Sequence, residues 1–171
     1  LMEKEGMEFV EALEFLAKKA GITLTRRKSA DKDKRLRLFE ANQKTAQYYH
    51  YLLTEHKLGV KALEYLKKRG LTDKTIKEFN LGYAPNSWDS LIKFLIKRGF
   101  THQELIDAGL SVFSSSGGYD RFRGRIMFPL MDVKGQVIAF SGRILGSGEP
   151  KYINTSQTLI FDKSSSLFGL N

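Results

Sequence analysis

Arg125-Ile126-Met127-Phe128-Pro129-Leu130-Met131-Asp132-Val133-Lys134-Gly135-Gln136-Val137-Ile138-Ala139-Phe140-Ser141-Gly142-Arg143 is the stretch that decides the fold. Two runs rich in Ile, Val, Met and Phe flank Asp132-Val133-Lys134-Gly135, a loop with glycine where a hairpin bulge needs positive φ. The reading is two antiparallel strands, Arg125 to Met131 and Gln136 to Arg143. Pro129 cannot donate to a ladder, so its strand is expected at a sheet edge or with that position facing outward. Just upstream, Leu110 to Phe113 and Tyr119 to Phe122 read as shorter extended runs, joined by the turn-forming Ser114-Ser115-Ser116-Gly117-Gly118.

Before Gly109 the period is helical. Leu36 to His56 predicts a long helix with Leu38, Ala41, Thr45, Tyr48, Leu52 and Leu53 on one face. A short repeat follows: residues 68 to 72 read Lys-Arg-Gly-Leu-Thr and residues 97 to 101 read Lys-Arg-Gly-Phe-Thr. Each copy lies between two helical patterns. Gly70 and Gly99 are expected to end one helix in the left-handed region, and Thr72 and Thr101 to cap the next. Glu104 completes a capping box with Thr101, and Phe100 is placed to staple onto Leu105. The two copies are expected to form helical hairpins that pack on each other. A DNA-reading helix-turn-helix is the competing reading, but neither second helix carries polar base-reading side chains. Helices first and antiparallel strands afterwards give an α+β fold: N-terminal helical hairpins followed by a small antiparallel β-sheet.

Further toward the N-terminus, Phe9, Val10, Leu13, Leu16, Ala17 and Ala20 share a helical face that Gly21 ends. Arg26 to Arg35 has no apolar period and reads as a solvated basic connector. The expected organisation is an appended helix over residues 1–24, a linker over 25–35 and a main body over 36–171.

Composition narrows the function classes. The net charge is +9, from 28 Lys+Arg against 19 Asp+Glu, which points to a polyanionic partner without proving one. The absence of cysteine removes disulfides and thiolate metal sites together. His50, His56 and His102 show no ligand spacing with carboxylates, so no metal site is expected from this chain alone. No run approaches the about 18 apolar residues of a membrane span, and residues 1–5 do not look like a signal peptide. A cytoplasmic location is expected.

The cations in the strand half are clustered. In Arg121-Phe122-Arg123-Gly124-Arg125 the arginines alternate, so an extended strand would project all three from one face. Such a row suits phosphates, since each guanidinium binds phosphate oxygens in a bidentate fork; pairing with surface carboxylates is the competing reading. Arg143 and Lys151-Tyr152-Ile153-Asn154 flank a glycine-bearing loop, which places two cations, a ring and an amide near one end of the sheet, with Lys163 further on. Aromatic plus cation is a grip suited to single strands. The loop matches neither a P-loop nor a dinucleotide fingerprint. Asp120, Asp132 and Asp162 stand apart in the sequence, and no acid pair, Ser-His-Asp or Cys-His set is visible for catalysis.

With those residues in view, Tyr119-Asp120-Arg121-Phe122-Arg123-Gly124-Arg125-Ile126-Met127-Phe128-Pro129-Leu130 resembles a signature of bacterial-type DNA primases. So do Val137 to Arg143, Pro150 to Ser156, Ile160-Phe161-Asp162-Lys163 and Leu167-Phe168-Gly169-Leu170, with Phe9 to Ala12 and Leu66 to Leu71 upstream. The resemblance covers nearly the whole chain in order and spacing. It implies an enzyme that makes short RNA primers on single-stranded DNA. This stretch would be the basic N-terminal subdomain of its RNA-polymerase core, preceded by a connector from a zinc-binding domain. The family's Mg or Mn would sit in a Toprim subdomain beyond Asn171 and its Zn in a domain before Leu1, so this piece alone is expected not to polymerise. The implied partners are template, RNA primer, nucleoside triphosphates and, through a C-terminal region, the replicative helicase. The resemblance assigns Arg69, Arg121, Arg123, Arg143, Lys151 and Lys163 to holding phosphates, with Tyr152 and Asn154 beside them. Arg69 comes from the resemblance alone. Two other readings stay open: a stand-alone single-stranded nucleic-acid-binding module without catalysis, and a helical domain whose basic face meets an acidic protein.

Overall fold

The computed structural model describes residues 16, 19–21, 27–114 and 117–164. The chain divides into two compact units, Leu1–Lys34 and Arg35–Asn171. Of the appended helix, only Leu16 and residues 19–21 are described: Ala20 N donates to Leu16 O at 2.9 Å, and Gly21 has φ +66°. The rest of that expectation, and Leu167 to Leu170, lie outside the described residues.

Helix α1 spans Arg27–Thr54. The tract read as an aperiodic connector is therefore helical from Arg27. Its Lys, Arg and Ala residues have high helix propensity, and Asp31 and Asp33 stand four residues before Arg35 and Arg37, so no apolar stripe is needed there. From Leu38 onward the apolar stripe begins, and Leu38, Ala41, Ala46, Tyr49, Leu52 and Leu53 are buried.

The repeat forms two helical hairpins. The first joins α2 (Val60–Lys68) to α3 (Asp73–Glu78), and the second joins α4 (Ser90–Ile96) to α5 (His102–Asp107). Gly70 and Gly99 have φ +86° and +82°, where a side chain would be strained. The Thr72 hydroxyl accepts from Thr75 N, and Thr101 and Glu104 form the full capping box.

Four strands make the main antiparallel sheet in the order β1-β4-β5-β6: β1 Gly82–Ala84, β4 Arg125–Met131, β5 Val137–Ile144 and β6 Tyr152–Asn154. A separate ribbon pairs β2 (Ser111–Ser114) with β3 (Gly117–Asp120). The fold is α+β. The loop from Asp132 to Gly135 closes the β4–β5 hairpin, with Asp132 Oδ1 accepting from Lys134 N and Gln136 N at 2.9 Å each. The short strands β1 and β6 carried no alternation long enough to read, and β3 ends at Asp120, two residues short of Phe122, where the expected extended run ended.

β4 is a central strand, yet Pro129 is accommodated. Phe140, opposite Pro129, exchanges hydrogen bonds with Thr155 on its far side, so Pro129 turns its nitrogen away from β5. On that side β1 has already ended, opposite Met127.

Residues opposite one another in register share a face of the sheet. On one face Met127 and Phe140 join α1 and the second hairpin in a cluster with Tyr49, Leu95, Leu105 and Phe122. Gly142 belongs to this face, where an added Cβ would lie 2.9 Å from Phe122 Cδ1. On the other face Ile126 packs with Leu66 and Ile76 of the first hairpin and Leu53 of α1. The two hairpins thus do not pack on each other as expected; each buries its apolar stripe in a separate cluster, because a two-faced sheet offers a larger apolar surface than either hairpin does. Among the described residues no helix is long and apolar enough to cross a membrane.

Candidate nucleic-acid interface

The first hairpin covers only the β1 end of its face. Beyond it, alternate residues of three strands line an open groove of about 530 Å³. Phe128, Leu130 and Phe161 form an apolar floor, and Ser141, Tyr152, Asn154 and Lys163 supply polar groups. The register explains the grouping: Phe128 stands opposite Ser141, Ser141 opposite Asn154, and Arg143 between Ile126 and Tyr152. The loop expected to bring Arg143, Tyr152 and Asn154 together is the β5–β6 connection, which does so.

Arg143 Nη1 donates to the Tyr152 hydroxyl, and its guanidinium carbon lies 5.1 Å from the centre of that ring. The bond to Tyr152 holds the guanidinium above its ordinary range, with Tyr65 adding to the effect. A cation fully charged and backed by a ring at the groove edge is equipped for phosphate and base together. Lys151 and Lys163 have exposed side chains; their backbone N–H groups donate to Glu149 Oε2 and Gln157 Oε1, each at 3.2 Å. Arg69 is exposed at the end of α2, where its N–H closes the helix on Tyr65 O and Leu66 O.

The three arginines at 121, 123 and 125 do not form a row. Residues 121–124 leave the strand conformation, and Gly124 at φ +61° turns the chain into β4. Arg121 reaches β6, donating from Nε and Nη2 to Asn154 O at 3.2 and 3.0 Å. Arg123 donates to Asp120 O at 2.8 Å and lies 4.4 Å from the Trp88 ring and 4.8 Å from the Tyr119 ring. Arg125 is buried at 4 % exposure on the closed face. It donates to Gly142 O at 3.1 Å, Pro150 O at 3.0 Å and Lys151 O at 3.4 Å. Burial pushes its guanidinium below the ordinary range, and the nearby Arg123 charge adds to that. Arg125 is a structural brace for the β5–β6 connection. Phe122, expected as the anchor, is buried at 1 %.

Sequence reading missed two residues here. Trp88 is 68 % exposed beside Arg123, and its ring meets that of Tyr119 edge-on at 5.7 Å. It follows no periodic pattern, so only an exposed tryptophan near cations would have flagged it. Asp120 looked isolated but is buried and caps α4: Oδ2 accepts from Leu91 N at 2.8 Å and from Ser90 Oγ at 3.2 Å, and Oδ1 from Ile92 N at 3.0 Å. Burial pushes its carboxyl up against the downward pull of these bonds. Among the described residues no group of three or more His, Cys, Asp or Glu converges to hold a metal ion.

The model of the N-terminal domain of the DNA primase catalytic core matches residues 48–171. The chain belongs to that primase family. It is 41% identical over 175 residues to the DNA primase of Clostridium acetobutylicum, covering 100% of this chain and 29% of that one. It is also 41% identical over 176 residues to that of Geobacillus stearothermophilus, covering 98% and 30%. Among solved structures, a DnaG primase catalytic domain bound to single-stranded DNA matches with TM-score 0.74 and 40% identity, over 81% of this chain and 43% of that one. The RNA-polymerase domain of the Mycobacterium tuberculosis primase, in complex with a DNA duplex carrying a 6-nucleotide overhang, matches with TM-score 0.73 and 38% identity, over 78% and 42%. The chain therefore spans about three-tenths of these curated primases and about two-fifths of the solved domains.

Proposed function

We propose that this primase segment grips the single-stranded template, and the primer and nucleotide phosphates beside it, for an enzyme that synthesises short RNA primers in the cytoplasm. The observation that carries the reading is the open groove, where Tyr152, Asn154 and Lys163 surround an apolar floor and Arg143 is bonded to Tyr152. In this reading Arg143, Lys151 and Lys163 bind phosphates, Tyr152 stacks a base, and Ser141 and Asn154 hydrogen-bond its edge or sugar. Arg121, Arg123 and Trp88 hold a further stretch of strand, and Arg69 takes the role that the family resemblance gives it. These residues bind and orient; phosphoryl transfer with Mg or Mn belongs to the family's Toprim subdomain, and Zn and helicase contacts to its other regions. Residues 1–35 then serve as the connector from the zinc-binding domain.

The test is single-stranded DNA binding by fluorescence anisotropy across a salt series, for this chain and for Arg143→Ala/Lys151→Ala/Lys163→Ala. Loss of three phosphate contacts weakens binding at every salt concentration and flattens the log–log slope by roughly two units, at about 0.7 per contact. A triple variant with the parent's slope removes the groove from the template path.

A further inference from the structure

Helix α4 lacks a cap of its own. Its N-cap residue, Asp89, makes no capping hydrogen bond and instead pairs with Lys93 at 2.8 Å. The first-turn N–H groups of Leu91 and Ile92 are satisfied by Asp120, 29 and 28 residues further along the chain. Asp120 is 2 % exposed, and Ser90 Oγ adds a third donor to its carboxylate. Its backbone is engaged in both directions. Asp120 N donates to Trp88 O at 2.6 Å, and Asp120 O accepts from Arg123 Nη1 at 2.8 Å. One residue therefore ties the segment that carries Trp88, through helix α4, to the segment that carries Arg123. The two side chains meet where these segments are held together, with the guanidinium carbon 4.4 Å from the indole centre.

We infer that Asp120 is a positioning residue that locks Trp88 and Arg123 into one aromatic–cation pair at the surface. The inference rests on the proposed role of that pair in holding a single strand. A pre-set ring and cation bind a flexible strand without first paying for their own ordering. Asp120 itself touches no nucleic acid, since its carboxylate is consumed by the helix.

Asp120→Asn separates positioning from charge. An amide keeps the shape but turns a donor toward Leu91 N or Ile92 N, so one cap bond is lost without a change in volume. By charge alone, removing an anion beside Arg123 tightens DNA binding. Positioning requires the opposite, a loss of roughly three- to tenfold in affinity. Trp88 is the chain's single tryptophan, so its emission and anisotropy report the pair directly without DNA. Thr101→Ala removes the cap of the neighbouring helix α5 and serves as the control for general destabilisation. The expected result is that Asp120→Asn shifts Trp88 emission and lowers its anisotropy while weakening single-stranded DNA binding, and that Thr101→Ala does neither. Unchanged Trp88 signals, tighter DNA binding, or an equal Trp88 response in Thr101→Ala would overturn the inference. If Trp88 responds as expected but Arg123→Ala binds DNA like the parent, the positioning stands and the DNA reading of the pair is what fails.

Discussion

The two faces of the main sheet are made by the same strands, one residue apart, and they do opposite things. On one face Met127 and Phe140 are sealed under α1 and the second hairpin, each at 1 % exposure or less. On the other, Phe128, Ser141, Tyr152 and Asn154 line a groove that the first hairpin leaves open. Strand alternation thus separates holding the fold together from meeting a ligand, on one backbone. The arginines obey the same division. Arg125 points into the closed face and bonds only to carbonyls, while Arg143 rises from the open face with Tyr152. An arginine in a basic signature is not for that reason a phosphate ligand.

The largest break of this symmetry comes from the closed face. Phe140→Ala removes a ring fully buried against Tyr49 and Phe122 and costs about 3–5 kcal/mol in urea unfolding, while DNA affinity per folded molecule stays unchanged. Next, Arg125→Met keeps the stem but removes the charged donor to the carbonyls of Gly142, Pro150 and Lys151. A loss of roughly 2–3 kcal/mol follows, read by the same unfolding curve. On the open face Tyr152→Ala reverses the pattern: melting temperature holds, and single-stranded DNA binding by anisotropy falls by the roughly 1–3 kcal/mol of one stacked base. Equal stability losses from Tyr152→Ala and Phe140→Ala would erase the distinction between the faces.

The smallest effect is electrostatic and belongs to the closed side. Arg37 Nε donates to Glu104 Oε1 at 2.7 Å, joining α1 to the second hairpin, and this bond holds the Glu104 carboxyl down at about 2. A carboxyl depressed in the folded state stabilises above its unfolded pKa of 4.5 and loses that contribution as pH falls toward about 2. Because both side chains are partly solvated, about 1 kcal/mol or less is at stake. Glu104→Gln therefore unfolds at slightly lower urea at pH 7 and shows a shallower acid loss between pH 4.5 and 2 than the parent.

The local devices were legible because they depend on neighbours in sequence. Gly70, Gly99, Thr72 and the Thr101–Glu104 box behave as their spacing demands, and the β4–β5 hairpin closes through Asp132 to Gly135 as read. What failed were statements about where an element goes once formed. The alternation of Arg121, Arg123 and Arg125 was extrapolated through Gly124, whose positive φ turns the chain and sends each arginine to a different place. The two hairpins looked alike enough to pair, but each found a larger apolar partner in the sheet and α1. Of the candidate site, the grouping of Arg143, Tyr152 and Asn154 was readable from the flanks of one loop, and Trp88 was not.

The sequence by itself determined the α+β class, the turns and caps of the two helical hairpins, the central β-hairpin and the family, since propensity, capping and motif order act over a few residues at a time. Only the tertiary structure decided which face of the sheet is open, that Arg125 braces rather than binds, and that Asp120 caps a helix 28 residues before it. The physical reason is burial. Whether a charged side chain meets solvent or a carbonyl depends on segments distant in sequence, and no local pattern records what they will cover.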